Sequence, residues 1–335
     1  MKALMITAPH KAEIWEVPNP VAAPGEVVID VKRAGICGTD IEFFTGEMSY
    51  LHDGHAKLPM SIGHEWMGVV NEVGEGVDKS WIGKRVTGDT MLGCGKCNRC
   101  KNGYQHVCEF RFEIGISGGR PGGLAEKIPV PVTALYELPD SISETVGALV
   151  EPGGNAYRSV QAAQLKKGDR VLITGAGTIA LLCAMFAKAQ GAEVHLLGRS
   201  QRSINFAKSI GFENCWNETD LPKLPWDAVI EASNGQTLPA KAVDLVEPGK
   251  RVVYIGLSVE PSLVDSRKIA LKDVTAVGIL SASPGLAGTI KSYAAKEFDP
   301  SLLVSATVTL DEMPKILAGE RPAGSGDGPK FHCAM

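Results

Sequence analysis

The chain has 335 residues, of which 44% are hydrophobic and 21% charged, and its formal net charge is -4. This length predicts two domains, each large enough to bury its own core. The small negative charge does not suggest nucleic-acid binding, and no apolar run reaches the ~20 residues that cross a bilayer. We therefore expect a cytoplasmic protein with no nucleic-acid and no membrane partner.

The chain changes character near residue 152. Residues 1–152 alternate short β-type runs, such as Val27 to Val31, with Gly, Pro and Asp turns, and they predict an irregular, partly closed β domain. In residues 153–284 strand and helix patterns alternate, which predicts a doubly wound parallel sheet. Residues 285–335 show no fold of their own and are expected to return and complete the first domain. The predicted fold class is α/β.

Two short segments of the first domain carry residues that ligate metals. Cys37 and His64 offer a thiolate and an imidazole, and Glu65 follows His64 directly. Another carboxylate, Glu151, lies at the domain junction, where a cleft would form. Singly, Cys37 is explained as a small core residue, His64 as a core histidine and Glu151 as a solvated helix cap. One thiolate and one imidazole make half of a catalytic zinc site, and a carboxylate oxygen and water can complete it, so together these residues predict an open, catalytic zinc site.

A second metal site is predicted in the segment 93–109, whose four cysteines are Cys94, Cys97, Cys100 and Cys108. Four thiolates fill the tetrahedral shell of zinc, so this site is structural. Two disulfides are the alternative, and they require a secreted protein. Residues 1–15 show no export signal, because charged and polar residues interrupt every apolar run. The sequence thus predicts two zinc ions per chain.

A glycine-rich turn opens the second domain. A strand predicted at Val171 to Thr174 is followed by the pattern G-x-G-x-x-A and by an apolar helix. In this pattern the first glycine makes the turn, the second lets a pyrophosphate approach the backbone, and the small third residue lets the helix pack on the strand. The pattern predicts dinucleotide binding by Gly175, Gly177, Thr178, Ile179 and Ala180.

The end of the next strand, Glu193 to Leu197, discriminates between NADP and NAD. An NAD-binding domain carries a carboxylate there for the ribose 2′-hydroxyl, whereas this chain has Gly198, Arg199, Ser200 and Arg202. Guanidinium groups can bind a 2′-phosphate through charge-assisted hydrogen bonds. The alternative is two solvated arginines at the start of a helix. The missing carboxylate favours NADP(H) over NAD(H).

The order of these motifs is similar to that of the zinc-dependent medium-chain dehydrogenases/reductases, the alcohol dehydrogenase superfamily. The shared motifs are G-I-C-G-T-D at 35–40, G-H-E at 63–65, the cysteine segment, L-V-E-P at 149–152 and G-A-G-T-I-A at 175–180. The resemblance covers nearly the whole chain and implies a GroES-like β-barrel joined to a Rossmann domain. Glu151, where alcohol dehydrogenases proper carry cysteine, resembles the polyol, threonine and glucose dehydrogenase branch.

The resemblance also implies roles for individual residues. Cys37 and His64 match zinc ligands, and Glu65 matches a conditional ligand. Glu151 matches the third ligand or a carboxylate that exchanges with water, so the choice between the two glutamates stays open. Positions beside the cofactor are matched by Asn155, Gly256, Leu257, Ile279 and Leu280.

The proton path departs from the family pattern. Thr39 matches the hydroxyl that binds the substrate alcohol, and Asp40 matches a carboxylate that orients the zinc-bound histidine. The usual relay histidine is replaced by Glu42. This residue serves as a carboxylate relay, or the role falls to His52 or His55, which are otherwise solvated loop residues.

The implied reaction is hydride transfer between NADP(H) and a secondary alcohol or ketone. The loop between Asp40 and His64 is expected to wall the substrate pocket. Its apolar residues Phe43 and Phe44 and its many hydrogen-bonding residues favour a polyol, sugar or cyclitol substrate. The alternatives are an NAD-dependent threonine or alcohol dehydrogenase and a non-catalytic zinc- and nucleotide-binding regulator. Family members pair across subunits near Val252 and Val274, so a homodimer or homotetramer is expected.

Overall fold

The computed structural model describes residues 1–335 and divides into two compact units. The first unit comprises Met1–Glu151, Val304–Gly326 and Lys330–Met335, and the second comprises Pro152–Leu303 and Asp327–Pro329. No helix is both long and apolar enough to span a membrane.

Residues 285–303 lie in the second unit, so the returning segment begins at Val304 and not at residue 285 as expected. The reason is aromatic packing. The Tyr293 ring stacks on Phe186 with 6.0 Å between ring centroids, and the Phe298 ring meets Phe186 edge-on at 4.8 Å. These rings attach the helix around Tyr293 to the second unit.

The strands, numbered in chain order, are β1 (Lys2–Ala8), β2 (Lys11–Glu16), β3 (Glu26–Gly35), β4 (Met60–Ser61), β5 (Glu65–Val73), β6 (Arg85–Gly88), β7 (Met91–Leu92), β8 (Phe112–Glu113), β9 (Lys127–Pro131), β10 (Leu135–Glu137), β11 (Arg170–Thr174), β12 (Glu193–Leu197), β13 (Cys215–Trp216), β14 (Trp226–Glu231), β15 (Val246–Tyr254), β16 (Thr275–Gly278), β17 (Val304–Thr309) and β18 (Lys330–Ala334).

The α-helices are α1 (Gly38–Thr45), α2 (Ser49–His52), α3 (Asn98–Lys101), α4 (Glu144–Gly147), α5 (Val150–Ala163), α6 (Thr178–Ala189), α7 (Gln201–Ser209), α8 (Leu238–Leu245), α9 (Ser266–Leu271), α10 (Leu286–Ala294) and α11 (Met313–Leu317). Short 3-10 helices lie at Lys79–Trp81, Gln105–Val107, Val132–Ala134, Ser283–Gly285, Pro300–Leu303 and Leu310–Glu312.

The main sheet of the first unit has the order β10-β6-β5-β3-β18-β17, and β9 also pairs with β3. The returning strand β18 lies beside β3, which in turn pairs antiparallel with β5. Gly35 is the partner of both Glu65 and His332, so these three residues form one row across three strands. Residue 35 must be small, because a Cβ there would overlap the Glu65 carboxylate.

The second unit is a six-stranded parallel sheet with the order β13-β12-β11-β14-β15-β16. The central strand β11 is apolar and fully buried at Val171, Leu172 and Ile173, as expected of a parallel strand covered on both faces. The chain moves outward from β11 in both directions. Such a reversal places the ligand crevice at the carboxyl ends of the central strands.

Candidate metal centres and cofactor site

The ligand atoms of Cys37, His64 and Glu65 lie within 4.8 Å of one another. The pairing of β3 with β5 brings these residues together, because β3 ends two residues before Cys37 and β5 begins at Glu65. His64 and Glu65 are buried, whereas Cys37 is only half-buried. The cluster thus combines a buried imidazole and a buried carboxylate with a more accessible thiol.

Asp40 positions both ligand-bearing segments through their backbones. Its Oδ2 accepts a hydrogen bond from the Cys37 N–H at 2.8 Å, and its Oδ1 accepts one from the Gly63 N–H at 3.1 Å. The expected bond to the imidazole is not made, because His64 Nδ1 lies 3.8 Å from Asp40 Oδ1. Asp40 therefore fixes the backbone of Cys37 and of Gly63, the neighbour of His64, and does not hold the His64 ring.

The electrostatic environment of His64 favours a cation. Burial by itself lowers the pKa of His64, but the charges of Asp40 and Cys37 outweigh burial and raise that pKa well above its usual value. The Nδ1 atom is buried and has no hydrogen-bond partner. An environment that attracts a proton also attracts a metal ion. Thiolate, imidazole and carboxylate together suit zinc, so these residues fit the ion.

Glu65 is held by a lysine that the sequence did not reveal. Lys330 Nζ donates to both Glu65 carboxylate oxygens at 2.7 and 2.6 Å and to the Ile36 carbonyl at 2.7 Å. The two side chains are 2% and 1% exposed. Burial lowers the pKa of Lys330, but Glu65 overrides this effect and raises it. The residues are far apart in the sequence, and no motif marks Lys330.

Glu151 is buried in the first turn of α5. It is not part of the cluster of Cys37, His64 and Glu65. It is nevertheless close enough for its charge to raise the pKa of His64.

Thr39 and Glu42 both lie on α1, which begins directly after Cys37. The Thr39 side chain is half-buried and makes no hydrogen bond within the protein. Burial raises the pKa of Glu42, and the charge of Glu47 raises it further. Glu42 thus remains a candidate proton carrier.

His52, the last residue of α2, and His55, in the loop that follows, are exposed and have partners outside the cluster. His52 Nε2 lies 3.0 Å from the Gly46 carbonyl oxygen, and His55 Nδ1 lies 2.5 Å from Asp53 Oδ1. Phe43 and Phe44 were expected to wall a substrate pocket, and that expectation is wrong. Both rings are buried in the core of the first unit, because they occupy the inner face of α1.

The second predicted metal centre also assembles. The sulfur atoms of Cys94, Cys97, Cys100 and Cys108 lie within 4.8 Å of one another. Backbone N–H groups point at them, and hydrogen bonds from the Lys96 and Cys97 backbone lower the pKa of the Cys94 thiol to about 6. Cys97 Sγ and Cys108 Sγ are 3.7 Å apart, far beyond the ~2.05 Å of a disulfide. The arrangement fits one tetrahedral zinc ion.

The glycine-rich turn has the geometry that a dinucleotide site requires. Gly175 adopts a φ of 107°, and a Cβ there would lie 2.7 Å from the Ala232 carbonyl oxygen. Gly177 caps α6, and the space beside it is open. Ala180 is fully buried on α6, and Thr178 and Ile179 lie in its first turn. The N-terminus of α6 is thus accessible to a pyrophosphate.

In the segment after β12, Gly198 is closely surrounded, whereas the side chains of Arg199, Ser200 and Arg202 are exposed. A Cβ at Gly198 would lie 2.7 Å from Ile204 Cγ1, so a larger residue does not fit without a shift. The Ser200 hydroxyl caps α7 by accepting a hydrogen bond from the Ser203 N–H at 3.2 Å. Arg199 is exposed and makes no ion pair, whereas Arg202 Nε donates to Asp327 Oδ1 at 3.2 Å. Sequence reasoning missed Asp327.

The remaining cofactor candidates lie at the carboxyl ends of strands or on α5. Gly256 and Leu257 follow β15, Ile279 and Leu280 follow β16, and Asn155 is half-buried on α5. These positions belong to the edge where parallel sheets bind ligands.

Comparison with known proteins agrees with this architecture. Residues 23–140 match the family model of the alcohol dehydrogenase GroES-like domain, and residues 178–296 match that of the zinc-binding dehydrogenase. The chain belongs to the zinc-type medium-chain dehydrogenase/reductase family. L-threonine 3-dehydrogenase of Coxiella burnetii is 30% identical to this family member over 79% of this chain and 80% of the relative.

Two solved structures share the fold of this medium-chain dehydrogenase/reductase. The short chain alcohol dehydrogenase rspB from Escherichia coli CFT073, complexed with NADH, is 26% identical with a TM-score of 0.90, covering 100% of this chain and 99% of the other. A Sinorhizobium meliloti 1021 protein bound to NADP is 26% identical with a TM-score of 0.88 and the same coverage. The similar structures therefore include one with each nicotinamide cofactor.

Proposed function

We propose that the protein is a zinc-dependent oxidoreductase that transfers a hydride between NADP(H) and a secondary alcohol or ketone of a polyol, sugar or cyclitol. The observation that carries this proposal is the convergence of Cys37 and His64 in an electronegative environment to which Asp40 and Glu151 contribute charge. A zinc ion bound there supplies Lewis-acid polarisation of the substrate oxygen. The hydride acceptor or donor is the nicotinamide of the cofactor.

The protein's own residues would hold the ion and handle the proton. Cys37 and His64 are two ligands, and Glu151 is the better third candidate because Lys330 occupies both oxygens of Glu65. The Thr39 hydroxyl, which has no partner within the protein, would hydrogen-bond the substrate hydroxyl. As the substrate hydroxyl passes its proton to Thr39 Oγ1, the Thr39 hydroxyl would pass its own proton to the Glu42 carboxylate. Its raised pKa suits reversible proton exchange closer to neutral pH.

The cofactor preference rests on the segment after β12. No carboxylate stands there, and Arg199 has no ion-pair partner. Each arginine contact with a 2′-phosphate is worth roughly 1.5 to 3 kcal/mol, or about one to two powers of ten in affinity. We expect the wild type to have a much higher kcat/KM with NADP(H) than with NAD(H).

Steady-state kinetics with both cofactors at several salt concentrations tests this preference. The double variant Arg199→Ala/Arg202→Ala should lose most of it, and the wild-type preference should weaken as ionic strength rises. Lys208→Ala is the matched control, because Lys208 is an exposed cation at the far end of α7. Equal or better kcat/KM with NAD(H) in the wild type would rule out this cofactor assignment.

A second candidate, an NAD-dependent L-threonine 3-dehydrogenase, is favoured by the relatives of that name at 30% identity. The Asp327 carboxylate beside Arg202 is compatible with it. Assaying L-threonine beside a panel of sugars, polyols and cyclitols with both cofactors separates the candidates. Turnover of L-threonine alone would overturn the polyol assignment, and preference for simple primary alcohols would overturn both.

We also propose a cytoplasmic homodimer or homotetramer. Cysteines that are not paired in disulfides, as in the four-cysteine cluster, are typical of proteins in reducing compartments. The edge strand β16 pairs on one side only, and the same unit exposes Leu257, Leu263 and Leu271 to 79%, 91% and 86%. An interface between chains would cover exposed apolar side chains of this kind. Light scattering should give two or four chains per particle, and a monomer at assay concentration would contradict the proposal.

A further inference from the structure

One carboxylate approaches the arginines of the second unit from a distant part of the chain. Arg202 Nε donates to Asp327 Oδ1 at 3.2 Å. Asp327 belongs to the second unit, although the residues on both sides of the Asp327–Pro329 segment belong to the first. The two side chains are 51% and 71% exposed, so solvent and ligands reach both of them. Arg199 makes no comparable ion pair.

The position of this ion pair connects it to cofactor binding. Arg202 is the second residue of α7, whose N-cap Ser200 lies three residues beyond the end of β12. A Cβ added at Gly198 would lie 3.6 Å from the Ala176 Cβ in the glycine-rich turn. The segment therefore borders the turn that cradles the dinucleotide. It is also the place where a Rossmann domain recognises the adenosine ribose.

We propose that Asp327 competes with the cofactor 2′-phosphate for Arg202 and thereby sets how strongly the enzyme prefers NADP(H). The inference rests on the proposed use of NADP(H). A phosphate group carrying close to two negative charges and a carboxylate repel each other beside one guanidinium group. An ion pair between exposed groups is weak. A phosphate can therefore displace Asp327, but only by giving up part of its binding energy.

The alternative role for Asp327 is that of the carboxylate which β12 lacks. In that case it would accept hydrogen bonds from the ribose hydroxyls of NAD(H). The two roles predict opposite effects of neutralising Asp327. Competition predicts stronger binding of the phosphorylated cofactor, and ribose recognition predicts weaker binding of the unphosphorylated one.

Calorimetric titration of the full-length, zinc-loaded protein with 2′,5′-ADP and 5′-AMP tests the inference, because these probes differ only in the 2′-phosphate. Asp327→Asn should raise affinity for 2′,5′-ADP about two- to fivefold, the size that an exposed ion pair supports. Affinity for 5′-AMP should not change. Glu320→Gln is the matched control, since Glu320 is an exposed carboxylate on the same returning segment and makes no ion pair. It should change neither affinity.

The increase in affinity for 2′,5′-ADP caused by Asp327→Asn must also depend on Arg202. In an Arg202→Ala background, Asp327→Asn should no longer raise the affinity for 2′,5′-ADP, apart from a small remainder due to direct repulsion. An unchanged affinity in Asp327→Asn, an equal gain for both probes, or a weaker affinity for 5′-AMP would overturn the inference.

Failure of the inference and failure of the proposed cofactor are distinguishable. If wild type prefers 2′,5′-ADP and Asp327→Asn changes nothing, NADP(H) use stands and competition by Asp327 is refuted. If wild type shows no such preference but Asp327→Asn creates one through Arg202, competition is supported and the wild-type NADP(H) assignment is refuted.

Discussion

His332 should make the first unit sensitive to acid. The side chain is fully buried on β18, and neither ring nitrogen has a hydrogen-bond partner. Burial, with help from the charges of Lys330 and Arg33, lowers the pKa of His332 from 6.5 to about 3. The native protein thus keeps this imidazole neutral at a pH where the unfolded chain protonates it.

The sign and size of the effect follow from that difference in pKa. Between pH 6.5 and about 3 the unfolded state binds more protons than the native state. The contribution of His332 to the free energy of unfolding is therefore fully present above pH 6.5 and falls as the pH is lowered. For this residue alone, the difference in pKa lowers the free energy of unfolding by about 2 kcal/mol at pH 5 relative to pH 7. His332→Leu, which fills a similar volume without a titratable group, should abolish that share of the loss.

Denaturant unfolding at pH 7, 6 and 5, followed by tryptophan fluorescence, measures the effect as a difference between variants. Other titrating groups are common to both proteins, so their contributions cancel. His10→Asn is the control, because His10 is exposed and its positive φ of 59° suits asparagine. If wild type and His332→Leu lose the same stability between pH 7 and pH 5, the buried neutral histidine is refuted.

Two further changes probe the centres described above. Lys330→Met should lower the free energy of unfolding by about 3 to 5 kcal/mol, because it leaves the buried Glu65 carboxylate unpaired. Lys127→Met is the control: it breaks the partly exposed pair with Asp30 and should cost under about 1 kcal/mol. Equal costs in denaturant unfolding would contradict this account. Cys97→Ser should lower zinc content by one and the melting temperature in calorimetry, since structural zinc sites contribute folding energy, and an unchanged melting temperature would argue against a structural zinc.

The two clusters of candidate metal ligands could be predicted from the sequence because their members lie in short local motifs. Cys37 and His64 sit next to glycines at strand ends, and the four cysteines lie within one segment. The sheet of the second unit could also be predicted, because buried parallel strands appear in the sequence as apolar runs. The two-residue strand Cys215–Trp216 was missed because it is too short to show a pattern.

The contacts that the sequence did not predict are mostly made by residues near the C-terminal end of the chain. Lys330 and Asp327 approach Glu65 and Arg202 from more than a hundred residues away, and no periodicity or spacing records such a contact. Phe43 and Phe44 were misjudged for a related reason. A short helix that packs one face against the core looks, in sequence alone, like a loop that lines a pocket.

Zinc analysis of the purified wild type and of Cys37→Ser tests the central claim most directly, because the account depends on one closed and one open metal centre in each chain. Elemental analysis should find two zinc ions per wild-type chain and one per Cys37→Ser chain, with the variant still folded. One zinc ion in the wild type, or two in the variant, would contradict the assignment of Cys37 and His64 as the open centre.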